Sequence, residues 1–255
     1  MTATDPGASP PPKPRSGLLR SSAVFSAMTL ISRIAGFARD MLQATLFGTG
    51  GAMSAFIVAY RIPNFLRRVF AEGSMAMAFV PVLNEIKQRG DRAALKSFID
   101  HMAGALCAVV LVVCALGMLL APLIARLFAP GWADQPELLA QTATMLRITF
   151  PYLLFISLMA LSASILNSHG RFGLPAFTPV LHNLTMIAAM LWLAPRFDLP
   201  PQGLAWGVLI AGVLQLALLW PALGRLGLRP RFRPGFGHLR PGGPAERPAR
   251  SGKHE

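Results

Sequence analysis

The run "MAGALCAVVLVVCALGMLLAPLIA", residues 102–125, contains no charged side chain. A helix crosses the hydrocarbon core of a bilayer with about 20 predominantly apolar residues, so this run is long enough to span a membrane by itself. Three later runs are equally uncharged: residues 148–168, 172–195 and 199–224. The sequence therefore predicts an all-α integral membrane protein that crosses the bilayer several times.

The composition also indicates lipid as the main solvent. Charged residues make up 14% of the chain, against about 25% in soluble domains. Six transmembrane helices over residues 18–226 are expected, because two further segments are long enough to cross although a few charges interrupt them. The expected helices lie near residues 18–46, 53–84, 99–128, 139–168, 174–195 and 201–224. The proline-rich residues 1–17 and the Arg/Pro/Gly-rich residues 227–255 are expected to be disordered tails.

Lysine and arginine are distributed unequally between the two sides of these helices. One side carries most of them: Lys13, Arg15, Arg20, Lys87, Arg89, Arg92, Lys96, Arg171 and the tail from Arg225. The other side holds little beyond Arg196, with Arg126 at a helix end. Because positively charged segments stay in the cytoplasm, both termini are expected there. The net charge of +13 reflects this topology, and no folded basic surface for nucleic acid is predicted.

The residues that often carry catalysis or bind metals are interpreted here as structural. Cys107 and Cys114 lie in an apolar helix and are interpreted as buried thiols with no disulfide or metal role. His182 and Asn183 are interpreted as packed or helix-bonding polar residues rather than a proton relay. The sequence shows no phosphate loop and no acidic dyad, so we expect neither an enzyme nor a bound cofactor.

Polar residues line one face of the first expected helix. They follow each other in helical steps of three and four: Ser22, Ser26, Thr29, Arg33, Gly36, Asp40 and Gln43. Arg39 lies about 100° round from Asp40, on a neighbouring face. A spanning helix cannot turn such a face to lipid, so the face is expected to line a protein interior or a water-filled cavity. Two alternatives stay open: a helix lying on the membrane surface, or Arg33 and Asp40 bridging to other helices.

The second expected helix contains a cationic stretch, "RIPNFLRRVFAEGSMAMAFVP", residues 61–81. Arg68 and Glu72 are four residues apart and are expected to pair, with Asn64 on the same face as Arg68. Arg67 has no acidic residue at helical spacing, and a charge at membrane depth costs about 2.5–3.5 kcal/mol on insertion scales. Its side chain either extends to the lipid headgroups or receives an anionic ligand.

The charges at membrane depth are mainly cationic. The arginines are Arg33, Arg39, Arg61, Arg67, Arg68 and Arg147, against the acids Asp40 and Glu72. The planar guanidinium group binds phosphate oxygens through two parallel hydrogen bonds. The sequence therefore predicts a positively charged, water-filled cavity between helices one and two, with a guest that carries phosphate.

Several segments resemble the MurJ/MviN family of proposed lipid II flippases, within the multidrug/oligosaccharidyl-lipid/polysaccharide exporter superfamily. The resemblance is carried by "SAMTLISRIAGFARDMLQATLFGTG", "RIPNFLRRVFAEGSMAMAFVPVL", "ITFPYLLFISLMALSASILNSHGRFGLPAFTPVLHN" and "GVLIAGVLQL". It covers roughly residues 18–234 and implies one lobe of a transporter in which two six-helix lobes enclose a central cavity. The implied activity is translocation of lipid II, the undecaprenyl-diphosphate-linked peptidoglycan precursor, to the periplasmic leaflet of the bacterial inner membrane by alternating access.

The resemblance also assigns roles to individual residues. It implies that Arg33, Arg39 and Arg67 match the arginines proposed to hold the diphosphate of the lipid. Arg68 and Glu72 match the "LRR.FAEG" element of the family, and Asp40 matches its "FARD". Ser54 stands where the family commonly has aspartate, so no carboxylate is available at that position.

The resemblance covers one lobe only, which leaves alternatives open. The expected partners are lipid II, membrane lipids, and either a second lobe or a second copy of the chain. One alternative is an exporter of another polyprenyl-diphosphate oligosaccharide or of a drug. A cation exporter should have acidic cavity residues, and the charges here are cationic. The other alternative is an inactive or scaffolding half-transporter.

Overall fold

A computed structural model describes residues 16–69 and 79–231 of the chain, and the side chains from residue 26 onward within those ranges. Its α-helices there are α1 (Ser16–Phe47), α2 (Gly51–Arg67), α3 (Val80–Gln88), α4 (Arg92–Leu119), α5 (Ala121–Phe128), α6 (Pro136–Thr149), α7 (Tyr152–Ser168), α8 (Gly173–Ala188) and α9 (Pro200–Leu226). A π-helical segment, Ala189–Leu193, and a 3-10 turn, Ala194–Arg196, extend α8. The described ranges contain no strand, so the all-α prediction is confirmed.

Four helical stretches in the described ranges are long and apolar enough to cross a membrane. They are Arg92–Leu119, Pro136–Ser168, Gly173–Arg196 and Pro200–Leu226. Each overlaps one of the uncharged runs of the sequence, as expected if continuous apolar length decides which helices span. α1 does not meet that criterion, and charged residues lie in the middle of this helix. The count of six crossing helices therefore stays a prediction.

The second expected helix differs in outline from a single continuous helix. α2 ends at Arg67, and Arg68 and Val69 continue it in π-helical geometry. Helix resumes at α3, and residues 70–78 between them are outside the described ranges. Glu72 belongs to that gap, so its expected pairing with Arg68 stays a prediction.

Helix α9 is the centre of the described bundle and packs against α6, α7 and α8. α2 packs against α6, and α4 packs against α7, whereas α1 rests mainly on α8. The largest fully buried side chains include Ile99, Leu153, Leu161, Ile165 and Leu204. Lipid tails are as apolar as these side chains, so close van der Waals packing has to hold the helices together.

The chain after α9 folds back onto the start of α4. Gly227 ends the helix with φ +69°, a left-handed conformation that glycine adopts without strain. Leu228 is only 3% exposed, and the backbone N–H of Arg231 donates to Oδ1 of Asp100 over 2.7 Å. The C-terminal tail expected from residue 227 therefore begins with residues that pack against the bundle. Residues 232–255, like residues 1–15, are outside the described ranges.

Candidate functional site

Asn183 joins α1 to α8 at the centre of their contact. Its side-chain N–H donates to the backbone carbonyl of Ser32 over 3.0 Å, and its Oδ1 accepts from Nη1 of Arg39 over 2.9 Å. Gly36 lies between these two positions, and a Cβ there would stand 3.4 Å from the Asn183 amide nitrogen. Ser32, Gly36 and Arg39 follow at helical spacing, so they present one face of α1 to Asn183. This contact fixes the position of the Arg39 guanidinium.

Arg39 also forms an ion pair with its neighbour in sequence. Its Nε and Nη2 atoms donate to Oδ1 of Asp40 over 3.0 and 2.6 Å. The Asp40 side chain is 66% exposed, whereas that of Arg39 is 25% exposed. Arg39 is therefore held by a neutral amide on its buried side and by a carboxylate on its open side. An exposed ion pair of this kind contributes about 0.2–1 kcal/mol to stability. Another anion can therefore displace the Asp40 carboxylate from Arg39.

Arg67 approaches the same region from the end of α2. Its Nε donates to the side-chain oxygen of Asn64 over 3.1 Å. Both Arg39 and Arg67 lie close enough to the side chains of Tyr60 and His182 to act on them electrostatically. Two of the three predicted phosphate-binding arginines, Arg39 and Arg67, thus lie within electrostatic range of one aromatic cluster, formed by Tyr60 on α2, Tyr152 on α7 and His182 on α8.

The aromatic cluster itself is packed and polar. The rings of Tyr152 and His182 have centroids 6.2 Å apart, and Arg67 also acts electrostatically on Tyr152. Nδ1 of His182 is buried and has no hydrogen-bond partner. A buried imidazole nitrogen without a partner is costly, so the described contacts leave one polar atom of this cluster unsatisfied.

Arg33 does not join this cluster in the described contacts. It lies six residues before Arg39, which turns it about 240° round the helix, and its side chain is exposed. Arg33 and Asp40 share the outer face of α1, away from α8. The predicted polar stripe is therefore divided: Gly36 packs on α8, while Arg33 and Asp40 point away from the bundle.

The remaining predicted positions have simpler surroundings. Arg68 and Arg61 are exposed, and Asn64 bonds to Arg67. Ser54 donates its hydroxyl to the backbone carbonyl of Gly50 over 3.2 Å. Within the described ranges, no group of three or more His, Cys, Asp or Glu side chains could hold a metal ion.

Sequence reasoning did not assign a site role to Asn183, His182 and Tyr60. A signal was present, because His182 and Asn183 are adjacent polar residues inside an otherwise apolar helix. Polar residues at such depth are expensive and are kept where they have a partner or a function. What the sequence could not show was that the partners of Asn183 lie on α1, more than a hundred residues earlier.

Comparison with known proteins adds independent findings. A protein-family model described as "Lipid II flippase MurJ" matches residues 43–241. A protein of Haemophilus influenzae described as "Probable lipid II flippase MurJ" is 44% identical over 208 residues, which cover 79% of this chain and 41% of the relative. "Lipid II flippase MurJ" of Burkholderia cenocepacia is 40% identical over 213 residues, covering 84% of this chain and 41% of the relative.

A solved structure is similar as well. It is described as "Lipid II flippase MurJ, inward closed conformation", with a TM-score of 0.68 and 31% sequence identity. The match covers 83% of this chain and 43% of the solved chain. The chain thus spans less than half the length of the relatives it matches.

Proposed function

Because the chain belongs to the family of the lipid II flippase MurJ, we propose that it forms part of a transporter for lipid II. The transport direction is from the cytoplasmic to the periplasmic leaflet of the bacterial inner membrane. The observation that carries this proposal is that Arg39 and Arg67, on two different helices, both lie within electrostatic range of Tyr60 and His182. Two such guanidinium groups suit the diphosphate of lipid II. The proposed activity is transport, in which no covalent bond is made or broken.

In this proposal the diphosphate exchanges with Asp40 on the open side of Arg39. Asn183 holds the opposite side of the Arg39 guanidinium. The guanidinium therefore keeps its orientation while the diphosphate replaces the Asp40 carboxylate. Arg67, held by Asn64, supplies the second cation. Arg33 lies on the exposed face of α1 and attracts the headgroup as it enters. The polyprenyl tail stays in the lipid throughout.

The energetics of the membrane favour the proposed direction. A cell interior that is negative repels an anion, and each charge gains about 2.3 kcal/mol per 100 mV when it leaves. Alternating access would come from rocking of this lobe against a second one, supplied by a longer polypeptide or by a second copy. Both termini of the described lobe would then lie in the cytoplasm.

A hybrid protein tests this function. The matching 208-residue segment of the Haemophilus influenzae relative is replaced by the corresponding residues of this chain. The hybrid should restore growth to cells depleted of their own flippase and should expose lipid II at the outer surface. Arg39→Ala or Arg67→Ala in the hybrid should abolish both effects, because the diphosphate loses a cation that nothing replaces.

The control for the hybrid is Arg171→Ala, which removes an exposed charge outside the aromatic cluster and should leave transport unchanged. Protein levels in the membrane are measured for every variant, so that failed insertion is recognised. If Arg39→Ala and Arg67→Ala both expose lipid II at the rate of the hybrid, the cationic site is wrongly assigned. If the unmodified hybrid accumulates but exposes none, the proposed function itself fails.

A further inference from the structure

A second group of cations lines a pocket at the C-terminal end of α9. The pocket has a volume of about 470 Å³ and lies where α4 begins and α9 ends. Its charged lining residues are Lys96, Arg225, Arg229 and Arg231. The arginines of the pocket contribute to neither the aromatic cluster nor the contact between α1 and α8. This basic pocket therefore needs an explanation of its own.

Specific contacts build the basic pocket. Nη2 of Arg92 donates to the backbone carbonyl of Leu226 over 2.9 Å and fixes the end of α9 to the start of α4. The backbone N–H of Arg231 and the ammonium group of Lys96 both bind Oδ1 of Asp100. Asp100 is only 4% exposed. The Arg229 guanidinium packs over Gly224, where a Cβ would come within 2.4 Å of its Nε. The pocket is thus a folded feature rather than an accidental gathering of surface charge.

The charges of the basic pocket are unbalanced. Asp100 is the one acid bonded to its residues in the described ranges, and Lys96 already neutralises it. The guanidinium groups of Arg225, Arg229 and Arg231 form no ion pair with any described carboxylate. Three cations facing one pocket repel each other unless an anion enters, so the pocket favours a phosphate-sized anionic group.

The surroundings of the pocket indicate that this anion belongs to a lipid. The pocket lies at the ends of two stretches that are long and apolar enough to span the bilayer. Trp220 precedes the lining residue Pro221, and tryptophan favours the membrane–water interface. Exposed apolar residues follow α9 at helical spacing toward Arg225: Trp206, Ile210, Val213, Leu214 and Ala217. Acyl chains on that face would bring a headgroup to the pocket.

We propose that the basic pocket binds the phosphodiester headgroup of an anionic phospholipid, with its acyl chains along the exposed face of α9. Basic pockets between transmembrane helices bind such headgroups in other proteins. The bound lipid bridges α4, α9 and the segment that follows α9. This assignment is separate from the proposed binding of lipid II at Arg39 and Arg67, and either can fail without the other.

Quenching of Trp220 by brominated lipid measures this binding directly. The full chain carries Trp132→Phe, Trp192→Phe and Trp206→Phe, so Trp220 alone reports. It is reconstituted in vesicles that contain equal fractions of phosphatidylglycerol and phosphatidylcholine, with one or the other brominated. Brominated phosphatidylglycerol should quench Trp220 more strongly, with a relative binding constant several times that of phosphatidylcholine. Equal quenching by the two lipids would overturn the proposal.

Two matched variants separate a site from general attraction. Arg225→Gln with Arg229→Gln should bring the relative binding constant for phosphatidylglycerol down to about that for phosphatidylcholine, since each cation near the surface contributes roughly a fivefold factor. Arg225→Lys with Arg229→Lys keeps the charge and should keep most of the preference for phosphatidylglycerol. This variant shows whether substitution at these two positions by itself disturbs the fold. Arg89→Gln with Arg171→Gln removes two exposed cations elsewhere and should change little. If this control loses as much preference as the first variant, the pocket is not the site.

Inorganic phosphate distinguishes the lipid from a soluble ligand. At millimolar concentration it should reduce the preference of Trp220 for brominated phosphatidylglycerol only slightly, because a lipid is presented at high local concentration. If inorganic phosphate abolishes the preference at constant ionic strength, the pocket is a site for soluble phosphate and the lipid assignment is wrong.

Discussion

The Arg39 guanidinium is held in a fixed orientation and can still bind an anion. Its buried side is bound by the neutral amide of Asn183, so no carboxylate cancels its charge there. Its open side is bound by Asp40, whose carboxylate is mostly exposed and can be displaced. A guanidinium held only by acids would be a structural ion pair, and one held by nothing would be too mobile to orient a phosphate.

At the residue scale, Asn183→Ala tests this arrangement. The substitution removes the hydrogen bonds to Arg39 and to the backbone of Ser32. Hydrogen bonds between membrane helices contribute about 0.6 kcal/mol on average and up to about 1.7 kcal/mol. The free energy of unfolding in mixed detergent micelles should therefore fall by roughly 1–2 kcal/mol. Asn167→Ala, at an exposed position near the end of α7, is the control and should change it little. Equal losses in the two variants would contradict the role of Asn183.

The site residues were partly predictable from the sequence. Arg39 and Arg67 stand out because a cation at membrane depth requires a reason. Local spacing also placed Arg39 on a face next to that of Asp40, as the structure has it. The sequence could not show that α8 would cover the face with Arg39 and leave Arg33 exposed. Helix periodicity shows which residues share a face, but not which other helix packs against that face.

At the element scale, glycine decides how closely α9 approaches the segment after α8. A Cβ on Gly203 would lie 2.6 Å from Cα of Ala194, and one on Gly207 would lie 2.5 Å from Cβ of Ala189. Small residues at such contacts let backbones approach and gain van der Waals energy, which substitutes for the missing hydrophobic drive in lipid.

Gly203→Ala should therefore destabilise the bundle although alanine favours helix. The new methyl group meets backbone atoms of Ala194, and overpacking of this kind costs about 1–3 kcal/mol, more than the roughly 1 kcal/mol gained in helix propensity. Thermal unfolding in detergent should show a lower midpoint. Gly173→Ala, in open space at the start of α8, is the matched control and should not lower it. A midpoint for Gly203→Ala at or above that of the parent chain would refute the close contact.

The helices differed in how far the sequence could predict them. The four uncharged runs were predicted as membrane-spanning helices, since an uncharged run of such length is typical of a helix that spans a membrane. The break between α6 and α7 at Phe150 and Pro151 was not anticipated, although proline after an apolar run is a known signal for it. The packing of residues 228–231 on Asp100 could not be read from their composition, which resembles a disordered tail.

At the scale of the whole molecule, the topology depends on whether α1 and α2 cross the membrane as the later helices do. α1 has 32 residues, enough length for a crossing, but it carries charges and exposes both polar and apolar side chains. If the exposed face of α1 lines a cavity, α1 crosses and the loop at Thr49 lies on the periplasmic side of the membrane. If α1 lies on the surface instead, Thr49 stays on the cytoplasmic side with Arg89.

Labelling of single cysteines decides between these topologies. On a Cys107→Ala, Cys114→Ser background, the exposed residues Thr49, Arg89 and Asp198 are changed to cysteine one at a time. Because positively charged loops stay inside, an impermeant maleimide added to intact spheroplasts should label Thr49→Cys and Asp198→Cys. Arg89→Cys should react only after the membrane is disrupted. Labelling of Asp198→Cys without Thr49→Cys would leave four crossings, and labelling of Arg89→Cys alone would reverse the orientation. Only the first pattern gives α1 a buried route along which a phosphate could travel past Arg33 to Arg39.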